Sequence, residues 1–167
     1  MKLNPLPLEP SLRLEKPLAE AMIRPVTQLD IAEWLRLRCL LWPTSNDEHF
    51  QDIQAFYSHQ GVTLEVFVYD RSAGKLGGFL EVRVRDYAEG CDSDRVAYLE
   101  GLYVDVDLRR GGIASQLIRA AEQWARSLNI TEMASDCLID NQISYQTHIA
   151  NRFEEVERII CFRKSLL

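Results

Sequence analysis

The stretch VDVDLRRGGIAS, Val104 to Ser115, carries the clearest chemistry in this chain of 167 residues. A β-branched run ends in two arginines and two glycines, then turns at once into an amphipathic helical pattern. The first turn of a helix has N–H groups with no intrahelical acceptor, and the helix dipole is positive there, so such a turn grips anions. Arg109 and Arg110 add positive charge, Gly111 leaves the turn slim, and the small residues Gly112 and Ala114 let an anion approach the backbone. The physics is that of a diphosphate cradle. The bland alternative is an ordinary loop between a strand and a helix. A GxxxxGK[ST] phosphate loop is excluded because no lysine follows the glycines, and a GxGxxG turn with an acid about twenty residues on is also missing.

The elements that must hold this turn follow from hydrophobic period. MIRPV reads as a short strand. Thr27 is placed to cap a helix whose stripe is Leu29, Ile31, Trp34, Leu35, Arg38 and Leu41, ended by Pro43. A second helix is predicted over residues 47–60, with acids in its first turn and Gly61 as its stop. VTLEVFVYD and LGGFLEVRVRDY form a hairpin about RSAGK, and RVAYLEGLYVDVD is a third strand. Gly101 in the middle of that strand marks a bulge or a close approach by another backbone. The helix over residues 112–128 comes next, then the strand TEMASD, the short helix NQISYQTHIANRF and a closing strand EVERIICFRKSL. This order predicts an α/β domain on a mixed sheet, antiparallel in its first half and βαβ-like in its second.

Residues 1–21 contain four prolines and no continuous apolar run, so they are expected to form an extended or disordered arm rather than a signal peptide. Residues 22–167 are then one domain. No apolar run reaches the ~20 residues a membrane helix needs, which points to a soluble, cytoplasmic protein. The net charge of −6 argues against a nucleic-acid surface and suits a cationic partner. Cys39, Cys91, Cys137 and Cys161 are widely spaced, which predicts free thiols and no metal site.

Arg109, Gly112 and Ala114 fill the defined places of the [Arg/Gln]-x-x-Gly-x-[Gly/Ala] signature, which resembles that of the GCN5-related N-acetyltransferases. The resemblance implies the acyl-CoA N-acyltransferase fold, a central mixed sheet flanked by helices. It also implies acetyl-CoA as co-substrate, with its pyrophosphate on this turn and its pantetheine arm along the bulged strand. The blocks LLWP, RDYAEGCDSD, YLEGLYV, EMASD and FEEVERIICFRK are further similar, in the same order, to the aminoglycoside 6′-N-acetyltransferases, over residues 23–164. That implies an antibiotic-resistance enzyme acting on a polycationic amine, and a homodimer.

Acetyl transfer to an amine needs an unprotonated nitrogen near the thioester, N–H donors for the oxyanion and an acid for the leaving thiolate. Main-chain groups of Leu102, Tyr103 and Val104 are expected at the thioester and pantetheine. The turn residues Arg109 to Ser115, including Ile113, are expected at the diphosphate. The resemblance places substrate contacts at Trp42, Tyr87, Glu100, Asp136 and Glu157. Glu100, beside the bulge, is the candidate to orient the amine or take its proton; otherwise it is a strand glutamate with a cross-strand cation. Asp136 ends a strand at the sheet's carboxyl edge, where α/β sheets open sites, or else it caps the next loop. Glu157 could equally lie on a solvated face and Trp42 in the core. Asn141 fits a contact to the CoA arm. The resemblance expects a tyrosine acid where His148 stands, so His148 or Tyr145, one turn earlier, is the candidate acid. Arg152 replaces a more usual glycine, which suggests a slightly different turn. Cys137 lacks a paired base, which favours direct attack in a ternary complex over an acetyl-enzyme. The alternatives are transfer to another amine (a polyamine, amino sugar or peptide) and a CoA-binding module without turnover.

Overall fold

Continuously buried runs in LEVFVYD and LGGFLEVRVR, packed on both faces, form the hairpin that organises the sheet. The computed structural model describes residues 22–58 and 63–166. In it β1 (Met22–Pro25), β2 (Leu64–Asp70), β3 (Leu76–Arg85) and β4 (Val96–Val104) pair antiparallel in order, and β5 (Glu132–Ser135) lies parallel to β4. Helices α1 (Ile31–Leu41) and α2 (Asn46–Ser58) cover one face. Helix α3 (Ile113–Ser127) covers the other, and α4 (Gln142–Ala150) follows β5. This is the mixed α/β architecture the sequence predicted.

The α3 face is a clean helical stripe. Ile113, Leu117, Ile118, Ala121 and Ala125 are buried against Leu80, Val82, Ala97, Leu99 and Val104. A large aliphatic side chain gains about 2 kcal/mol on leaving water, so this stripe fixes α3, and with it the glycine turn, to β4. On the opposite face Trp34, Leu37 and Ile53 pack on Val66, Val68 and Phe79. Thr27 heads a short helical turn at Gln28–Asp30 that leads into α1, and its N–H and hydroxyl both donate to the Asp30 carboxylate at 2.8 Å. Asp30 also accepts from Arg24 at 2.7 and 2.9 Å.

One predicted element is overturned. The closing strand expected at EVERIICFRKSL does not form: residues 154–166 carry no helix or strand. Val156, Ile159, Ile160 and Phe162 are exposed there. Strand propensity needs a paired edge and a buried face, and within one chain this segment has neither. Residues 1–21, and the expected end of the second helix at Gln60 and Gly61, lie outside the described residues. Among the described residues no helix is long and apolar enough to cross a membrane, none of the cysteines is disulfide-bonded, and no cluster could hold a metal.

Candidate active site

The site is built on an irregularity in β4. Pairing with β3 runs from Gly78↔Val104 to Glu81↔Gly101 and resumes at Val82↔Leu99, so Glu100 is the extra residue of a bulge. A one-residue slip swaps the faces of a strand. Accordingly Ala97 and Leu99 face α3 before the bulge, and Leu102 and Val104 do so after it. The bulge thus keeps both halves of β4 packed while setting Glu100 outside the ladder. Gly101 is required by the same geometry: a Cβ there would overlap Trp42 Cη2 and Cζ2. Trp42 therefore lies on the strand at the bulge, at the end of α1, where the following Pro43 holds its backbone extended.

Pairing of β4 with β5 stops at Leu99↔Ser135, where the Ser135 hydroxyl donates to the Leu99 carbonyl at 3.2 Å. Beyond this point the β5-side edge of β4, residues 100–104, has no paired strand among the described residues. That edge leads directly to the glycine turn. Arg110 and Gly112 adopt left-handed φ of 66° and 78°, which aim the chain into α3. Gly112 adopts this conformation without steric cost, whereas a side chain would be strained although the space is open. The first turn of α3 has no side-chain cap and no acidic residue. Its N–H groups are set for an anionic ligand, and Arg110, Gly111 and Gly112 are exposed beside it. Arg109 also braces the end of β4. Its Nε–H donates to the Val104 carbonyl at 3.0 Å, and its guanidinium lies 5.5 Å from the Tyr103 ring.

Glu100 and Asp136 each directly follow the last paired residue of their strands, so the register sets them side by side at one edge. Glu100 does have a cross-strand cation. Arg85 donates to both its carboxylate oxygens, at 3.0 and 2.6 Å, and lies 3.5 Å over the Tyr98 ring. Burial first, then the nearby Asp136 charge, pushes the Tyr98 hydroxyl up to about 12, and Tyr98 hydrogen-bonds Asp136. Asp136 itself is exposed. Cys137 is exposed beside it as a free thiol.

Tyr87 is exposed in the loop after β3. Glu157 is exposed in the segment that failed to form a strand, but its neighbour Val156 packs over Gly90, where a Cβ would lie 2.5 Å from Val156 Cγ2. The Tyr87 loop and the Glu157 segment are therefore adjacent. In α4, Asn141 is the N-cap, its Oδ1 accepting from the Ser144 N–H at 3.1 Å. Its NH₂ group takes no part in that bond. His148 Nδ1 lies 2.7 Å from the Ser144 carbonyl oxygen, an acceptor, so Nδ1 carries the proton and Nε2 the lone pair. Nε2 is buried and has no hydrogen-bond partner among the described residues. The ring rests edge-on to Phe153, with centroids 5.1 Å apart. Tyr145 is more open, and it hydrogen-bonds Glu155. Arg152 takes φ of 67°, so it adopts the left-handed turn that glycine favours and bears the strain itself.

The profile of the acetyltransferase (GNAT) family matches residues 29–149. The chain belongs to that family. An aminoglycoside N(6′)-acetyltransferase type 1 of Klebsiella aerogenes is 42% identical over 147 residues, 87% of this chain and 97% of its own. One from Acinetobacter baumannii is 38% identical over 86% of this chain and 98% of its own. Among solved structures, AAC(6′)-Iy in complex with the bisubstrate analogue CoA-S-monomethyl-acetylneamine superposes with a TM-score of 0.82 at 36% identity. That match covers 88% of this chain and 99% of the other.

Within the GNAT frame, two groups at the acidic edge escaped the sequence reading. Arg85 and Tyr98 sit on neighbouring strands and link Glu100 to Asp136. Their signal was available in principle, because VRVR on β3 returns against YLE on β4; pairing them needed the bulge register. A third unread feature lies beneath Trp42. Arg38 and Glu81 are both buried and ion-paired at 2.7 Å, and the Trp34 indole N–H donates to Glu81 at 2.9 Å. Burial pushes the Glu81 carboxyl up, while Arg38 draws it back.

Proposed function

We propose that this protein is an acetyl-CoA-dependent N-acetyltransferase acting on the 6′-amine of aminoglycosides, by direct attack in a ternary complex. One juxtaposition carries the reading: an uncapped, acid-free helix N-terminus at one end of the unpaired β4 edge, and the Glu100 and Asp136 carboxylates at the other. The relatives' names supply the substrate class, and an acidic rim suits a polycation.

Acetyl-CoA supplies a thioester carbonyl activated for attack. Arg109, Arg110, Gly111, Gly112, Ile113, Ala114 and Ser115 hold its diphosphate through main-chain N–H groups and positive charge. Main-chain groups of Leu102, Tyr103 and Val104 orient the pantetheine and donate to the carbonyl oxygen, and the Asn141 NH₂ group contacts the CoA arm. Asp136 receives the substrate ammonium, and Glu100, steadied by Arg85, orients the amine and takes its proton through water. Trp42, Tyr87 and Glu157 form the rim against the sugar rings. His148 in its imidazolium form gives the Nε2 proton to the departing thiolate; its other nitrogen is already committed to the Ser144 carbonyl. Residues 22–167 act as one catalytic domain. The protein works as a cytoplasmic homodimer without nucleic-acid partners. The exposed apolar residues of 154–166 and the free edge of β5 support association of two copies.

A thiol-release assay tests this. Kanamycin or tobramycin should release CoA, and the rate should collapse in Asp136→Asn. Acetylation of spermidine or a peptide alone would reassign the substrate, and CoA binding with no release across an amine panel would make the protein a binding module.

A further inference from the structure

Glu81 is the residue of β3 paired with Gly101, directly beneath the bulge. It is 5% exposed, and nothing in the chemistry proposed above uses it. Arg38 Nη1 donates to both Glu81 oxygens, at 2.7 and 2.8 Å, and Nη2 to Asp52 at 2.7 Å. The remaining Nε–H points at His49 Nδ1, 3.4 Å away, so Nδ1 is the acceptor and Nε2 bears the proton. Nε2 then donates to the Trp42 carbonyl at 3.0 Å, with the Thr44 hydroxyl 2.9 Å away. Every bond in this chain agrees with a single tautomer of His49. The Arg38 guanidinium also lies 5.0 Å from the centroid of the Trp42 ring, and Gly101 leaves the room that the indole fills. Trp42 is therefore held by its ring, by its carbonyl and by the absence of a Cβ across from it.

We propose that Glu81, Arg38 and His49 are positioning residues that fix Trp42 against the bulge, and so set the amine-binding wall without touching either substrate. The inference rests on the placement of Trp42 in the amine site. A network that merely stabilised the fold would lower stability and leave both Michaelis constants alone. A network that aims Trp42 affects one of them: the wall meets the amine, whereas the cofactor turn lies at the other end of β4.

The test measures KM for tobramycin and for acetyl-CoA in Glu81→Gln, His49→Gln and Trp42→Ala. His49→Gln leaves the Arg38–Glu81 pair intact and carries the test if Glu81→Gln does not fold. Both network variants should raise the tobramycin KM at least fivefold, towards the value of Trp42→Ala, with acetyl-CoA KM within twofold. Tobramycin KM unchanged in folded network variants while Trp42→Ala raises it would overturn the inference alone, as would equal movement of both constants. An unchanged tobramycin KM in Trp42→Ala would instead remove Trp42 from the amine site, and the inference with it.

Discussion

The two ends of β4 are built in opposite ways. The end proposed to bind the cofactor's diphosphate is continuous in sequence, from Leu102 through Ser115, and is held by one helix stripe on one face of the sheet. The proposed amine end draws on Trp42 from the end of α1, Tyr87 from a loop, Glu100 from the bulge, Asp136 from the end of β5, and Arg85 and Tyr98 from neighbouring strands. In the proposed function main-chain groups do the work at the first end, side chains at the second. Such a division lets the cofactor grip stay constant while the amine end takes a shape of its own, since side chains can change without disturbing the turn.

That contrast predicts separable kinetic defects. The largest should come from Asp136→Asn, which keeps shape but removes the charge proposed to meet the ammonium. The expected loss in kcat/KM for tobramycin is about 100-fold, the upper end of what losing one charge-assisted contact costs. Acetyl-CoA binding measured by calorimetry should be unchanged in the same protein; a matching loss there would merge the two ends. Gly112→Asp is the reciprocal experiment. It sets a carboxylate against the diphosphate at a position of φ 78°. Acetyl-CoA KM should rise at least tenfold, about 1.4 kcal/mol, with tobramycin KM nearly fixed. Normal acetyl-CoA kinetics would remove the turn from the cofactor site.

The same contrast explains what could be read without coordinates. Arg109, Gly112 and Ala114 announce the anion site because one turn contains all of its physics. Gly101 was readable as marking a bulge or a close approach; the bulge falls next to it at Glu100, and the close approach is the Trp42 ring. The union of Glu100 with Asp136 was legible only through family resemblance, since it depends on which residue of β4 faces Ser135. Arg85, Tyr98 and the Arg38–Glu81 pair went unread for the same reason: each interaction crosses strands or helices whose register depends on the bulge. The expected closing strand failed for a different cause. IICF has strand propensity, but within one chain it meets no edge, and propensity does not create a partner.

A smaller effect, away from both ends of β4, concerns how the start of α1 is anchored to β1. Arg24 beside Asp30 holds that carboxyl down at about 2, with further bonds from Thr27. A carboxyl lowered in the folded state contributes stability that is present above its unfolded pKa, near 3.8, and is lost as pH falls towards 2. The melting temperature should therefore drop across that window, and Asp30→Asn should flatten that part of the profile. At pH 7 the substitution should lower the melting temperature by about 3 °C, since losing such a turn-capping group costs about 1 kcal/mol. An unchanged slope between pH 4 and 2 would mean that other carboxylates govern acid unfolding.

The smallest expected effect lies at the end of α4, outside both halves. Arg152 is held at φ of 67° where α4 turns towards Phe153, and the Phe153 N–H donates to the His148 carbonyl at 3.1 Å. A non-glycine side chain in that region costs about 1 kcal/mol. Arg152→Gly removes the strain but also frees the unfolded chain, which takes back part of the gain. The net should be a rise of one or two degrees in melting temperature, about 0.5 kcal/mol. Because Phe153 backs the His148 ring, the pH dependence of kcat is the sharper readout. It should keep its shape if the turn is already the one glycine would make, and a displaced profile would show that Arg152 strains the turn in a way that shapes the His148 environment.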